Sequence, residues 1–449
     1  MKKQLGLNLI FNTAGSLLFY ICQAAINLLV VALAGIEASG VLAVAMTIAN
    51  VCVSFASYGM RTFQVSDLDH KYSDRTYLLS RQLTVGLAWI GCLLFAFANS
   101  YSAEQRWVIA LFTGYRLVES WSDIWHGYLQ RAERMDIVGI SFGVRGLVTA
   151  GAITVGLMLT HNLVPTVGIL FALNILYVVL VDVPLAKQHA DFAAKGKATV
   201  FGLLIECFPL AIYASLNTTI GSTPRYFCER ILGQEALGFF NAVFVPVLIL
   251  QVGAVYLFVP FITTFARLWN DRNGKGYRKA LRVLHVFQLV LLVCGMVGVA
   301  ILGRWGLGFL YPTQPKILEY TPLLYVLVVC CILTVESTVL CNLLTICRAM
   351  KSLIFGNLAG LAAALVASPV LTPLLDVYGT ALATIVGIGV QALTLWLFLQ
   401  HQCKKQFFQP PEDPESPEAP EEPEQPELPA PAQAPALPAA PEAEEQLPE

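Results

Sequence analysis

Long apolar blocks make up most of this chain, separated by short polar or basic segments. Twelve stretches are apolar enough to cross a bilayer, near residues 7–34, 38–60, 82–100, 107–130, 137–160, 163–186, 200–223, 236–266, 281–302, 321–347, 352–374 and 378–400. Crossing about 30 Å of hydrocarbon takes roughly 20 apolar residues in a helix. No block alternates apolar and polar residues as a barrel strand does. Lipid offers no partner to a free backbone amide, so each stretch is predicted to be a helix. The first block, after Met1-Lys2-Lys3, is too long for the core of a signal peptide and reads as an uncleaved span.

A short phrase recurs at equivalent places in two predicted hairpins. Gly35-Ile36-Glu37-Ala38-Ser39-Gly40 joins the first two spans, and Gly233-Gln234-Glu235-Ala236-Leu237-Gly238 joins the seventh and eighth, 198 residues later. The repeated G-x-E-A-x-G points to two related halves, an arrangement that in transporters places the substrate path between them. The expected fold is therefore an all-α polytopic membrane protein. Its twelve transmembrane helices form two six-helix bundles related by a pseudo-two-fold repeat around a central cavity. The expected divisions are an N-terminal bundle over 1–186, a cytoplasmic linker over 187–199, a C-terminal bundle over 200–405, and a disordered tail over 406–449.

Composition agrees with this picture once the tail is set aside. The chain of 449 residues is 56% apolar and 13% charged, with mean hydropathy +0.65. Residues 409–449 hold 12 of the 30 acids, 13 of the 24 prolines and none of the 28 bases. The remainder carries 28 bases against 18 acids, a net charge of +10 hidden by the overall −2. A Pro- and Glu-rich segment with so little apolar surface does not offset its ordering entropy, so the tail is expected to be disordered. With the N-terminus in the cytoplasm, inner segments hold 21 Lys and Arg and outer segments five. The positive-inside rule then places both termini in the cytoplasm. The basic stretch 267–282 reads as a topology determinant beside anionic lipid headgroups. The 11 cysteines sit mostly in apolar runs without metal or disulfide spacing.

Polar residues inside the spans are the candidates for function, because lipid tolerates them only when they are paired or wet. In the fourth span Arg116, Glu119, Asp123 and His126 fall three or four residues apart, on one helix face. Arg145 lies in the fifth span at a matching depth. Two readings stand open: Arg116–Glu119 and Asp123–Arg145 pair and lock the hairpin, or an arginine is left for an anionic ligand. Asn8, Asn12, Ser16, Tyr20, Gln23 and Asn27 stripe the first span at intervals of three or four. They suit a hydroxyl-rich ligand or serve as amide glue between helices. The seventh span adds Glu206, Asn217, Arg225 and Arg230. Arg225 has no acid close by in sequence and is expected to contact an anion, whose oxygens fit a planar guanidinium. Glu336, alone in the tenth span, is either a pairing partner or an ion-coupling site. No Gly-Lys-Ser/Thr phosphate loop, H-E-x-x-H or G-x-S-x-G is present, so neither enzymatic activity nor a cofactor or metal is expected.

The hairpin 119–146, ESWSDIWHGYLQRAERMDIVGISFGVRG, resembles the signature of polysaccharide flippases in the multidrug/oligosaccharidyl-lipid/polysaccharide (MOP) exporter superfamily. Pro224-Arg225-Tyr226-Phe227 with Gly233 and Leu237-Gly238 resembles a second signature of that branch. The likeness extends over about residues 1–405. It implies an O-antigen-type (Wzx-like) flippase that moves undecaprenyl-pyrophosphate-linked glycan across the bacterial inner membrane by alternating access. Glu119, Asp123, Gln130, Glu133, Asp136, Arg145 and Arg225 match by position. Its implied partners are lipid-linked glycan, membrane lipid and other glycan-assembly proteins, with no nucleic acid or nucleotide. Two other readings stay open: a cation-coupled multidrug antiporter of the same fold, which would place acids and aromatics rather than free arginine in its cavity, and a membrane glycan polymerase or ligase, which would need a large outer loop.

Overall fold

The computed structural model describes residues 2–67, 71–192 and 199–408. Residues 193–198 of the expected linker, and the expected tail from residue 409 onward, lie outside the described residues. Every regular element among the described residues is helical. The chain is a multi-pass membrane protein: nine helices among the described residues are long and apolar enough to span a bilayer.

The first helix, α1 (Lys2–Ser57), is broken at Gly35 (φ 88°, ψ 178°), a conformation that L side chains rarely adopt. The chain doubles back there, which brings the Ser39 hydroxyl to donate to Asn27 Oδ1 at 2.6 Å. The short α2 (Met60–Ser66) leads into α3 (Asp74–Ala98). Next, α4 (Ala103–Arg131) opens on a capping box. Ser102 Oγ accepts from the Gln105 amide, and the Gln105 side chain accepts from the Ser102 amide. After α5 (Met135–Thr160), α6 (Leu163–Tyr177) runs through one π-helical turn, Val178–Asp182, into α7 (Val183–Lys187). The second half opens with α8 (Val200–Leu232), α9 (Gln234–Asn270), α10 (Gly274–Leu310) and α11 (Thr321–Ile346). It ends with α12 (Met350–Phe408), broken at Leu375 and Asp376. Gly379 then packs so closely on the Leu371 carbonyl that a Cβ would lie 2.0 Å from its oxygen. Both α1 and α12 are thus helical hairpins. The charged α4 is a long helix that hydropathy alone does not count as a span.

The repeated phrase behaves as a repeat in space. Gly233 has φ 89° and ψ 175°, the conformation of Gly35. A Cβ on Gly40 would meet the Gln234 carbonyl oxygen at 1.9 Å, and one on Gly238 would meet the Ile36 carbonyl oxygen at 2.4 Å. Position 238 is the equivalent of 40, and 36 is the equivalent of 234. The contact is therefore reciprocal, as a two-fold axis requires. Gln234 Nε2 also donates to Glu37 Oε1 at 2.7 Å.

Burial differs between the two ends of the molecule. At the Gly35 end one apolar core joins both halves, with Val30, Leu42 and Phe112 packed into the same cluster as Leu237, Phe240 and Leu327. At the opposite end there are two cores. One holds Tyr58, Tyr77, Trp125 and Tyr128 with the start of α8. The other holds Phe265, Tyr277, Leu344 and Leu399 of α9 to α12. Large apolar side chains such as Leu94, Ile301 and Val366 point outward, as lipid-facing residues do.

Candidate functional site: a charged N-terminal half and an unpaired arginine

The α4 stripe forms as the spacing predicts, but its partners differ from the simplest expectation. Arg116 pairs with Glu119 one turn on. Glu119 Oε1 also accepts from Tyr115 Oη at 2.8 Å and from Gln23 Nε2 of α1 at 2.9 Å. Asp123 does not meet Arg145. It binds Arg61 Nη1 at 2.5 Å, with Arg81 Nη2 at 3.5 Å. Arg145, 1% exposed, instead engages Asp182 and donates from Nη2 to Ser122 Oγ at 2.5 Å. The reason is rotational phase. Neighbouring helix positions such as 122 and 123 lie about 100° apart around the axis. The side of α4 that Arg145 reaches is that of Ser122 and His126, while Asp123 faces α2 and α3.

Asp182 was not singled out in the sequence, although a lone acid in the apolar run Leu176–Pro184 was the available signal. It closes the π-turn after α6, a rare distortion that often re-aims a side chain. Ser141 and Ser122 each donate to it at 2.6 Å, and His126 Nε2 stands 3.5 Å away. Asp182 is 1% exposed, so its charge is held by a permanent cation and two hydroxyls with no recourse to water.

Arg81 and Arg61 fall among the 21 inner Lys and Arg of the sequence. Arg81 is fully buried and donates from Nη1 to the Ala56 carbonyl at 2.9 Å and to Ser120 Oγ at 3.2 Å. Its Nε has no hydrogen-bond partner among the described residues. Arg61 Nε donates to Gln130 Oε1 at 3.1 Å. Two arginines thus share one carboxylate, leaving a net positive charge. Beside them lies a cavity of about 450 Å³ lined by Arg61, Thr62, Val65, Ser66 and Gln130.

The polar stripe of α1 divides in two. Asn8 donates to the Glu133 carbonyl, Gln23 bonds Tyr115 and Glu119, and Asn27 accepts from Ser39. These three act as glue between helices. Asn12 and Ser16 are half-buried, and Tyr20 is 48% exposed. In the second half, Gln391 Nε2 donates at 2.8 Å to both Asn217 and Asn357, so Asn217 is part of an amide chain. Glu206 pairs with Lys71. That hydrogen bond raises the Lys71 pKa, since it favours the ammonium. Arg230 bonds Asn99 at 2.9 Å and lies over the Tyr101 ring.

Arg225 stands apart. It is half-buried in α8, and its guanidinium lies 4.7 Å from the Phe244 ring centre on α9. No carboxylate pairs with it among the described residues. Among the described residues Glu336 of α11 meets no Lys or Arg; its partner is His285 Nε2 of α10 at 3.3 Å. These charges sit on a scaffold that can bind anions.

The architecture is that of known membrane transporters. The structure superposes on the lipid II flippase MurJ in an inward closed conformation with a TM-score of 0.68 and 12% identity, covering 89% of this chain and 90% of that one. It superposes on an inward-facing multidrug resistance MATE family transporter of the MOP superfamily with a TM-score of 0.67 and 10% identity, covering 90% and 98%. At such identities the likeness speaks for the fold. In sequence, residues 5–269 match the profile of the family described as "Polysaccharide biosynthesis protein", and the chain belongs to this family. Over 302 residues it is 21% identical to the capsular polysaccharide biosynthesis protein CapF of Staphylococcus aureus, covering 66% of this chain and 74% of that protein.

Proposed function

We propose that this protein is a flippase for lipid-linked glycan. It would carry an undecaprenyl-pyrophosphate-type substrate from the inner to the outer leaflet of the bacterial inner membrane by alternating access. The observation that carries the reading is excess positive charge held within the helical bundle. Among the described residues no acid pairs with Arg225, and Arg61 with Arg81 outnumber Asp123 beside a cavity. A buried cation without a counterion is unfavourable unless a ligand or water meets it. A lipid diphosphate supplies that counter-charge while its chain stays in the bilayer. Arg116 and Arg145 then have different roles, because each is already held by a carboxylate. Arg145 in particular acts by fixing α4 against α5 and α6. Asn12, Ser16 and Tyr20 are the positions of the α1 stripe best placed to meet sugar hydroxyls.

Twelve crossings follow if α1 and α12 each count twice and α4 spans despite its charges. The N-terminal end, with the basic segments, then faces the cytoplasm. The shared core at the Gly35 end and the two separate cores opposite it fit a state closed to the outside. Moving about two negative charges outward across roughly 100 mV, inside negative, releases about 4–5 kcal/mol, which can drive export. A multidrug antiporter of this fold is the weaker reading, since the unmatched charge is positive and would repel a cationic drug.

The test is replacement of Arg225 and Arg61 by Ala, singly, at matched protein levels in the membrane. Each should lower delivery of lipid-linked glycan to the outer leaflet at least tenfold. Unchanged delivery in both variants would overturn the reading.

A further inference from the structure

Within the long helices, Glu119, Asp123, Asp182, Glu206 and Glu229 each have an arginine or lysine within 4 Å. Glu336, in the interior of α11, differs from these five: among the described residues its ion-pair partner is the His285 imidazole, with no arginine or lysine within 4 Å. His285 lies eleven positions after the start of α10, and Glu336 lies ten before the end of α11, about 15–16 Å along each axis.

The geometry around His285 requires a proton. Its Nδ1 stands 2.7 Å from the Leu281 carbonyl oxygen, an acceptor, so Nδ1 carries hydrogen. In a neutral ring with that tautomer, Nε2 presents a lone pair to Glu336 Oε1 at 3.3 Å. Two lone pairs facing each other repel. The contact becomes attractive when one proton sits between them, as imidazolium with carboxylate or as neutral imidazole with carboxylic acid. Glu336 Oε2 is buried without a hydrogen-bond partner, which disfavours a bare carboxylate.

Among the described residues no other charge pairs with either of them. On α10 the nearest base is Arg282, one turn toward the N-terminal end, and no charged residue follows until Arg304. On α11 Glu336 is the sole charged residue. The sequence of α9 carries no acid or base between Glu235 and Arg267, and α8 none between Glu206 and Arg225. From α12 comes the Trp396 ring, edge-on to His285 with centroids 5.2 Å apart. Between Asp376 and Lys404 that helix has one histidine, His401, and no Asp, Glu, Lys or Arg. Tyr213 of α8 packs at the edge of the same core, beside the α11 and α12 side chains.

We infer that His285 and Glu336 form a proton-binding site in the second half. They take up one proton as a unit and release it when the helices around them move apart. Its role as the coupling site of transport rests on the flippase reading. The binding of the proton does not.

The test uses the full chain, purified, with tryptophan emission followed against pH in the absence of glycan. An imidazolium quenches an indole it touches, so Trp396 reports on His285. The wild type should show a titration that disappears in both Trp396→Phe and His285→Gln. In Glu336→Gln, which keeps the side chain's shape, the midpoint should move down by ~1–3 pH units, because the anion that favours the imidazolium is gone. Persistence of the titration in His285→Gln, or an unmoved midpoint in Glu336→Gln, would overturn the site. Glycan delivery is then compared in cells. Glu336→Gln should reduce it at least tenfold, while Arg225→Ala reduces it and leaves the titration intact. Normal delivery with a shifted midpoint would remove the coupling role and leave the flippase reading standing.

Discussion

The two halves of the molecule solve the same problem in different ways. Each places a histidine beside a carboxylate inside the helical bundle. In the first half, His126 lies 3.5 Å from Asp182, but Arg145 already neutralises that acid and both partners are 1% exposed. In the second half, His285 lies 3.3 Å from Glu336 with no arginine or lysine beside them, and both are more open. A permanent cation makes the first pair part of the scaffold. Where only a proton can balance the charge, the second pair can respond to its surroundings. Buried ionic residues in one fold therefore fall into two kinds, and the identity of the cation separates them.

The largest effect should come from removing the permanent cation. Arg145→Ala leaves Asp182 buried and unpaired, a loss of about 3–5 kcal/mol. Thermal unfolding in detergent should show it, and adding Asp182→Asn should restore much of the loss. If Arg145→Ala is as stable as the parent, the distinction between the halves fails. Making the second half resemble the first is the next step. With His285→Arg the pH response of Trp396 should vanish, and glycan delivery should fall with little change in protein level. A smaller structural effect is expected at the interface between the halves. Gly40→Val places side-chain atoms against the Gln234 carbonyl and should cost about 1–3 kcal/mol by overpacking. A residue of equal size at Gly91, where nothing lies within 4 Å, should be tolerated. The smallest change belongs to the exposed pair Lys71–Glu206, since solvent screens such pairs. Lys71→Ala should leave the unfolding temperature unmoved.

Hydropathy marks the helices other than the charged α4, because lipid leaves the backbone no alternative. The glycines of the repeated phrase also announced their use. Gly35 and Gly233 adopt the same positive-φ conformation, and Gly40 and Gly238 make the same close approach. Partner choice was less legible. The pairing of Arg145 depends on how α4 is rotated and on a π-turn that re-aims Asp182, and neither is written in residue spacing. Depth alone made Asp123 look like its partner. Arg81 looked like a loop base because its helix begins seven residues earlier, at Asp74, and its burial follows from packing against Ala56 and Ser120. His285 went unmarked because it follows a basic segment, and only tertiary contact brings it to Glu336.

The account depends most on free guanidinium charge meeting a lipid-borne diphosphate. Its most direct test places the purified protein in vesicles with a lipid-linked diphosphate glycan in one leaflet. A membrane-impermeant lectin then reads the glycan's arrival in the other. The wild type should translocate the lipid, and Arg225→Ala should do so at least tenfold more slowly while remaining folded. Equal rates for the two proteins would contradict the account.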